Sequence, residues 1–181
     1  MLTHKGTQTI HTDRLVLRRL TIDDAAAMFR NWAGDDEVTR YLTWPTHQSE
    51  EISRMILDLW VRDYARSDFY QWGITIDGEV VGTISVVNQN DDVEKMEIGY
   101  CIGRNWWHRG ITSEALAAVI NYLFDEVGAQ RIESRHDPRN PHSGAVMRKC
   151  GMKYEGTLRR SDRNNQGICD ASHYAILADE R

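Results

Sequence analysis

Three groups of residues have the types and spacing that chemistry requires. The first is Arg109-Gly110-Ile111-Thr112-Ser113, followed by Glu114, where an apolar strand pattern gives way to a helical one. A helix start leaves backbone N–H groups unpaired and carries partial positive charge, so small or flexible residues there suit an anion, above all a phosphate. The same glycine also fits a plain tight turn. The run lacks the Gly-Lys-Ser/Thr ending of a Walker loop and the three glycines of a dinucleotide fingerprint. The second group is Asn140-Pro141-His142-Ser143, a helix cap followed by a first-turn proline. Its polar residues either cap the helix or face the space off the strand ends, where open sheets bind ligands. The third is the carboxylates Glu97, Glu114, Glu155, Asp162 and Asp170. Most carboxylates are solvated surface, and Glu114 in a first helical turn simply favours the dipole. Glu97, inside an apolar strand, and Asp162, at a loop edge, are the better acid–base candidates.

The elements that must position these groups follow from periodicity. Met96 to Ile102 predicts a strand, with Glu97 facing away from Ile98. The helix begins near Arg109 and runs to Val127, with Leu116, Val119, Ile120, Leu123 and Val127 on one apolar face. Gly128 stops it, and Arg131 to Arg135 predicts a strand parallel to the first by the crossover rule. Upstream, Ile10 to Leu20 predicts one strand, and Thr21 caps a helix through Trp32 that Asp23 and Asp24 favour. A short helical piece covers Val38 to Leu42. A long helix opens at Ser49-Glu50-Glu51, with Ile52, Met55, Ile56, Leu59 and Trp60 as its buried stripe. Asp77-Gly78 between two β-branched runs predicts a hairpin. Met152–Arg160 and Ile168–Leu177 predict a closing hairpin around a polar loop, 161–167. The class is α/β or α+β, layered about one sheet.

A chain of 181 residues is expected to form a single domain, 1–181. A formal net charge of -5 argues against a general nucleic-acid binder and weakly favours a cationic substrate. Cys101, Cys150 and Cys169 are odd in number and lack ligand spacing, so neither a disulfide framework nor a metal site is expected. No apolar run of signal-peptide or membrane-spanning length is present, which points to the cytoplasm.

Taken together, these blocks resemble the GCN5-related N-acetyltransferases (GNAT), in the branch of the RimJ/RimL-type ribosomal-protein N-terminal acetyltransferases. Thr12-Asp13-Arg14-Leu15-Val16-Leu17-Arg18 is similar to the family's opening, and Glu97-Ile98-Gly99-Tyr100 to its E-I-G-Y strand. Trp107-His108-Arg109-Gly110-Ile111-Thr112-Ser113-Glu114-Ala115 resembles the W-G-K-G-Y-A-T-E-A segment, with His108 and Thr112 as departures. Asn140-x-x-Ser143, then Gly151-Met152 and Glu155-Gly156, then Asp170 and Tyr174, match the remaining blocks, with Met152 replacing the common Phe.

The resemblance implies a GNAT fold, in which a mixed, mostly antiparallel central sheet has a splayed parallel strand pair and flanking helices. It implies acetyl-CoA as co-substrate and no metal. The diphosphate would meet the N–H groups from Arg109 to Glu114 (Arg109, Gly110, Ile111, Thr112, Ser113 and Glu114). The pantetheine would lie along Tyr100, Cys101 and Ile102, near Asn140. By the same resemblance Asp162 would be the base, Glu97 its rival, and Ser143 the donor to the departing sulfur. The N–H of Cys101 or Ile102 would serve the oxyanion. Three functions then stand: acetylation of a protein N-terminal amine, acetylation of a small amine (polyamine, amino acid, aminoglycoside or other antibiotic), or non-catalytic acetyl-CoA binding. Asn140, Ser143 and an acidic candidate argue against the last. The implied partners are the acetyl donor and an amine acceptor, with no nucleic acid and no membrane; a homodimer is compatible with the branch.

Overall fold

A computed structural model describes residues 1–181. Eight strands form one sheet: β1 (Ile10–His11), β2 (Val16–Arg18), β3 (Gln71–Ile76), β4 (Glu79–Asn90), β5 (Lys95–Ile102), β6 (Arg131–His136), β7 (Lys153–Asn164) and β8 (Gly167–Leu177). Their order is β1-β2-β3-β4-β5-β6-β8-β7, and only the β5–β6 pair is parallel. The helices are α1 (Ala25–Met28, continued by a π-turn at Phe29–Ala33), α2 (Asp36–Thr39), α3 (Glu50–Asp63), α4 (Ile111–Tyr122, continued by a π-turn at Leu123–Val127) and α5 (Pro141–Lys149). None is long and apolar enough to cross a membrane.

Local chemistry accounts for most of these boundaries. Asp77 and Gly78 both have positive φ, 51° and 83°, as the two-residue turn between β3 and β4 requires. Asp24 accepts from the Thr21 N–H at 2.8 Å, closing the box that starts the first helical segment.

Strand alternation then separates two layers. Met96, Ile98 and Ile102 of β5 pack with Ile111, Leu116, Val119, Ile120 and Leu123 of α4. Cys101, of opposite parity, packs on the other face against Leu20, Met28, Trp32, Leu57 and Val80. Residues of β5 therefore alternate between an α4 side and an α1/α3 side of the sheet.

Three sequence expectations change. Ile10–Leu20 is two short strands, because the Thr12 N–H bonds the Leu15 carbonyl at 3.0 Å and turns the chain back. The buried face of α3 carries Ser53 and Leu57, whereas Met55 and Leu59 are 68% and 53% exposed. A hydrogen bond between Ser53 Oγ and His47 Nδ1 at 2.8 Å holds that rotation. The expected polar loop 161–167 is mostly strand: β7 bulges between Leu158 and Asp162, resumes with Asp162 opposite Cys169, and turns only at residues 165–166.

The central feature is where β5 and β6 stop pairing. Their register runs Lys95↔Arg131, Met96↔Ile132, Glu97↔Glu133 and ends there. Beyond it, the Ser134 hydroxyl donates to the Ile98 carbonyl at 2.8 Å. Meanwhile β5 stays on β4 as far as Gly82↔Ile102, across a bulge between Val86 and Asn88 that faces this same point. Bulges add local twist and bend, and here β5 turns away from β6 with β4. The sheet is split.

Candidate active site

The Gly103 N–H bonds the Val81 carbonyl at 2.8 Å, while the Ile98 carbonyl points at β6. By antiparallel alternation, the N–H of Cys101 then faces β4, and those of Tyr100 and Ile102 face the split. The Ile102 carbonyl accepts from the Trp107 indole at 2.8 Å. The Tyr100 and Ile102 N–H groups thus form a one-sided polar edge that an amide-bearing ligand can pair.

That edge lines a cavity of about 340 Å³ between the starts of α4 and α5. Its wall includes Tyr100, Cys101, Ile102, Gly110, Ile111, Thr112, Ser113, Asn140 and Ser143. Gly110 caps α4 at φ +73°, a left-handed conformation that favours glycine. The first helical bond at this end is the Glu114 N–H to the Gly110 carbonyl, 3.0 Å, so the N–H groups of Ile111, Thr112 and Ser113 lie free of the helix's own ladder. A side chain at Gly110 would lie 3.6 Å from both Arg14 Nη2 and Lys149 Nζ. Free N–H groups, a helix dipole and two cationic side chains converge on one spot, a geometry that suits an anion.

On the α5 wall, Asn140 precedes Pro141 but makes no side-chain cap, which leaves its amide to the cavity. Tyr100 Oη lies 2.9 Å from the Ser143 carbonyl and 3.1 Å from its Oγ. The phenol donates to the carbonyl and can accept from the serine hydroxyl. Burial drives the Tyr100 pKa up, more than the Ser143 bond lowers it, so the phenol stays neutral and orients the serine.

The carboxylates lie elsewhere. Glu97 has the parity of Cys101 and sits on the α1/α3 side, 7% exposed at its side chain. It pairs with Arg135 Nη1, and Arg135 Nε donates to Asp162 Oδ2 at 2.7 Å. Burial opposes the charge on Arg135, but the Asp162 bond and the Glu97 charge outweigh it and raise its pKa. The two rival bases thus share one guanidinium, on the face of the split opposite Ser143.

A third wall closes this side. Asp137 follows β6 and accepts from Arg139 (N 2.8 Å, Nη2 2.6 Å) and from Asn164 Nδ2 at 2.8 Å. Asn165, at the β7–β8 tip, donates its amide to the carbonyls of Thr39 and Trp44, both 2.8 Å. The hairpin is thereby pinned to the segment carrying Val38, Tyr41 and Leu42, which line the cavity.

The sequence profile of the acetyltransferase (GNAT) domain family matches residues 14–153. The chain belongs to that family. The N-acetyltransferase YoaA of Bacillus subtilis, itself uncharacterized, is 32% identical over 170 residues, covering 93% of this chain and 96% of that protein. The ribosomal-protein-serine acetyltransferase of Escherichia coli is 30% identical over 142 residues, 77% and 79% of the two chains. A solved structure of RimL, the ribosomal L7/L12 α-N-protein acetyltransferase in complex with coenzyme A, shares the fold, with a TM-score of 0.85 at 21% identity over 96% of this chain and all of that one.

For this GNAT acetyltransferase, the cavity gathers Tyr100, Cys101, Ile102, Gly110–Ser113, Asn140 and Ser143, and leaves Arg109, Glu114, Glu97 and Asp162 outside its lining. Glu114 turns back from it. Its carboxylate accepts from Thr12 Oγ1 (2.6 Å), the Arg14 N–H (3.0 Å) and Arg14 Nε (2.7 Å). Arg14 Nη1 in turn donates to the Arg109 carbonyl at 3.0 Å. The opening T-x-R-L motif is thus a strap across the start of α4. Burial opposes the Glu114 charge, but these three donors overcome it and lower its pKa. Glu114→Gln is expected to cost about 1–2 kcal/mol, since it weakens charge-assisted bonds to a partly buried carboxylate. Thermal unfolding should register this as a fall of roughly 2–8 °C.

Sequence reasoning missed Lys149, Arg14 as an anion-site cation, and Arg135. Arg135 stood in the β6 pattern as an ordinary strand residue, and only the paired strands bring it between Glu97 and Asp162.

Proposed function

We propose that this chain transfers an acetyl group from acetyl-CoA directly to a primary amine, with a protein N-terminal α-amine as the acceptor and residues 1–181 acting as one catalytic domain. The observation that carries the reading is the split between β5 and β6 beside the α4 anion site. A donor with a diphosphate at one end and amides along its arm fits both at once. The diphosphate suits the free N–H groups of Ile111–Ser113 with Arg14 and Lys149, and the arm suits Tyr100 and Ile102 with Asn140 at its side.

Direct transfer is supported by the state of the thiols. Burial pushes Cys101 up to about 12 and Cys150 up to about 11, and raises Cys169 as well, so none is set up as a thiolate nucleophile. The chain's residues then have three tasks. Asp162, reached from the α1/α3 side, accepts the acceptor's proton directly or through a water. Glu97 is the rival for that role. The Ile102 N–H, on the open edge of β5, faces the developing oxyanion. Ser143, oriented by Tyr100, donates to the departing sulfur. An α-amine, with a pKa of roughly 7.7–8, asks less of the base than a lysine at roughly 10.4, which favours the N-terminal acceptor. The named activity of the Escherichia coli relative supports the same choice.

A thiol-release assay with acetyl-CoA and a panel of N-terminal peptides and small amines tests the proposal. Turnover on peptides is expected. Turnover confined to polyamines, amino acids or aminoglycosides would move the acceptor to a small molecule. Coenzyme A binding without turnover on any amine would make the chain a binding module.

A further inference from the structure

Two imidazoles span the mouth of the cavity, and the mechanism uses neither. His108, just before the anion turn, and His142, in the first turn of α5, both line it. Their ring centroids lie 4.9 Å apart, edge to face at 77°. The contact joins the starts of α4 and α5, whose residues Gly110–Ser113 and Ser143 line the same cavity. The remaining charges near this spot are fixed cations: Arg14 and Lys149 beside Gly110, and Arg109 next in sequence to His108. Glu114, the carboxylate of this turn, is occupied by Thr12 and Arg14. Tyr41, Tyr100 and Cys101 also line the cavity, and burial raises the pKa of both Tyr100 and Cys101, which keeps them neutral. His136, on β6 beneath α5, bonds the Asp137 carbonyl through Nδ1 and is not part of the wall.

We propose that His108 and His142 form a titratable bracket on the donor's diphosphate, so that the chain binds coenzyme A more tightly as pH falls through the imidazole range. The inference rests on the donor site proposed above. Histidine is the side chain whose ordinary charge change falls between pH 5 and 8. Arginine and lysine remain charged throughout, so they add affinity without adding pH dependence. Two protonated imidazoles edge to face repel each other. A diphosphate bound against the touching pair offsets that repulsion and favours their charged forms. Linkage then requires the reverse, that protonation raises affinity for the diphosphate.

The test is calorimetric binding of dephospho-CoA, whose diphosphate does not titrate between pH 5.5 and 8 and which lacks the 3′-phosphate that does. Wild type should bind about five- to tenfold tighter at pH 5.5 than at pH 8, the scale of two solvent-exposed charge contacts. His108→Asn with His142→Gln should flatten that dependence. Asn is chosen because His108 has φ +60°, which asparagine tolerates better than most residues. If the double variant does not fold, each single variant should remove part of the slope. A wild-type affinity independent of pH, or a slope that survives in the folded double variant, overturns the bracket. Failure of both coenzyme A and dephospho-CoA to bind at any pH would instead overturn the donor site itself.

Discussion

Asp162→Asn should lower kcat by about 100-fold or more, the usual scale for losing a positioned base, while Glu97→Gln should cost less than about tenfold. Both carboxylates are tied to Arg135, so pairing does not distinguish them. Access does. The Asp162 side chain is 25% exposed and that of Glu97 is 7%. An acceptor arriving from the α1/α3 side therefore meets Asp162 first, with Glu97 behind the guanidinium. The Michaelis constants separate this role from a structural one. The pair lies across the sheet from the cavity of Tyr100, Asn140 and Ser143, so the KM for the acetyl donor should hold while kcat and the acceptor KM change. Thiol release measured from pH 6 to 9 on both variants decides the matter. An Asp162→Asn enzyme with unchanged kcat would remove Asp162 from the role, and a large loss in Glu97→Gln would hand it to Glu97.

The largest loss of stability is expected from Asp137→Ala, at about 3 kcal/mol, because it leaves the buried Asn164 amide without its acceptor and removes the charge-assisted bonds from half-exposed Arg139. For a chain of this size, that lowers the unfolding temperature by roughly 6–12 °C. The Asp137 carboxylate is 2% exposed, and burial alone would raise its pKa. Its bonds from Arg139 and Asn164 overcome that and hold the pKa at about 2, against an ordinary 3.8. A lowered carboxylate pKa stabilises the fold above the ordinary value and ceases to do so as pH falls through the folded one. Wild type should thus lose about 2 kcal/mol between pH 4 and pH 2 through this group alone. Urea unfolding at pH 4.5, 3.5 and 2.5 should show a steeper acid loss in wild type than in Asp137→Asn. Equal slopes would remove Asp137 from the acid response. Since Asp137 also ties Asn164 to the loop carrying Asn140, the variants should raise the acceptor KM as the hairpin loosens.

Much of the molecule was legible in the sequence where neighbouring residues decide the outcome. Asp77-Gly78 specified its turn because both residues tolerate positive φ. Gly110 before Ile111-Thr112-Ser113 specified an anion-ready helix start, and Asn140-Pro141 specified the start of α5. The parallel pair followed from strand, helix and strand in succession. The apolar stripe of α3 misled in part: Ile56 and Trp60 pack on the core, whereas Met55 and Leu59 are exposed. Met55 and Leu59 fit the helical period, but a polar contact from Ser53 to His47 rotates the helix. Periodicity says that a face exists, and packing decides which one is buried. The closing hairpin misled for a related reason, since Ser161 to Gly167 has loop composition and yet a bulge lets pairing resume at Asp162.

By itself, the sequence determined the family, the sheet with its crossover, and the N–H groups available to an anion at α4. These depend on residues within a few positions of one another and on turn and cap chemistry that acts locally. Only the tertiary structure decided that β5 leaves β6 after Glu97, that Glu114 straps Thr12 and Arg14 across α4, and that Arg135 holds Glu97 and Asp162 together. Those contacts join residues from 27 to 102 positions apart. Their geometry comes from strand register, twist and the bulge in β4, which arise only when the whole sheet packs, and no local propensity encodes them.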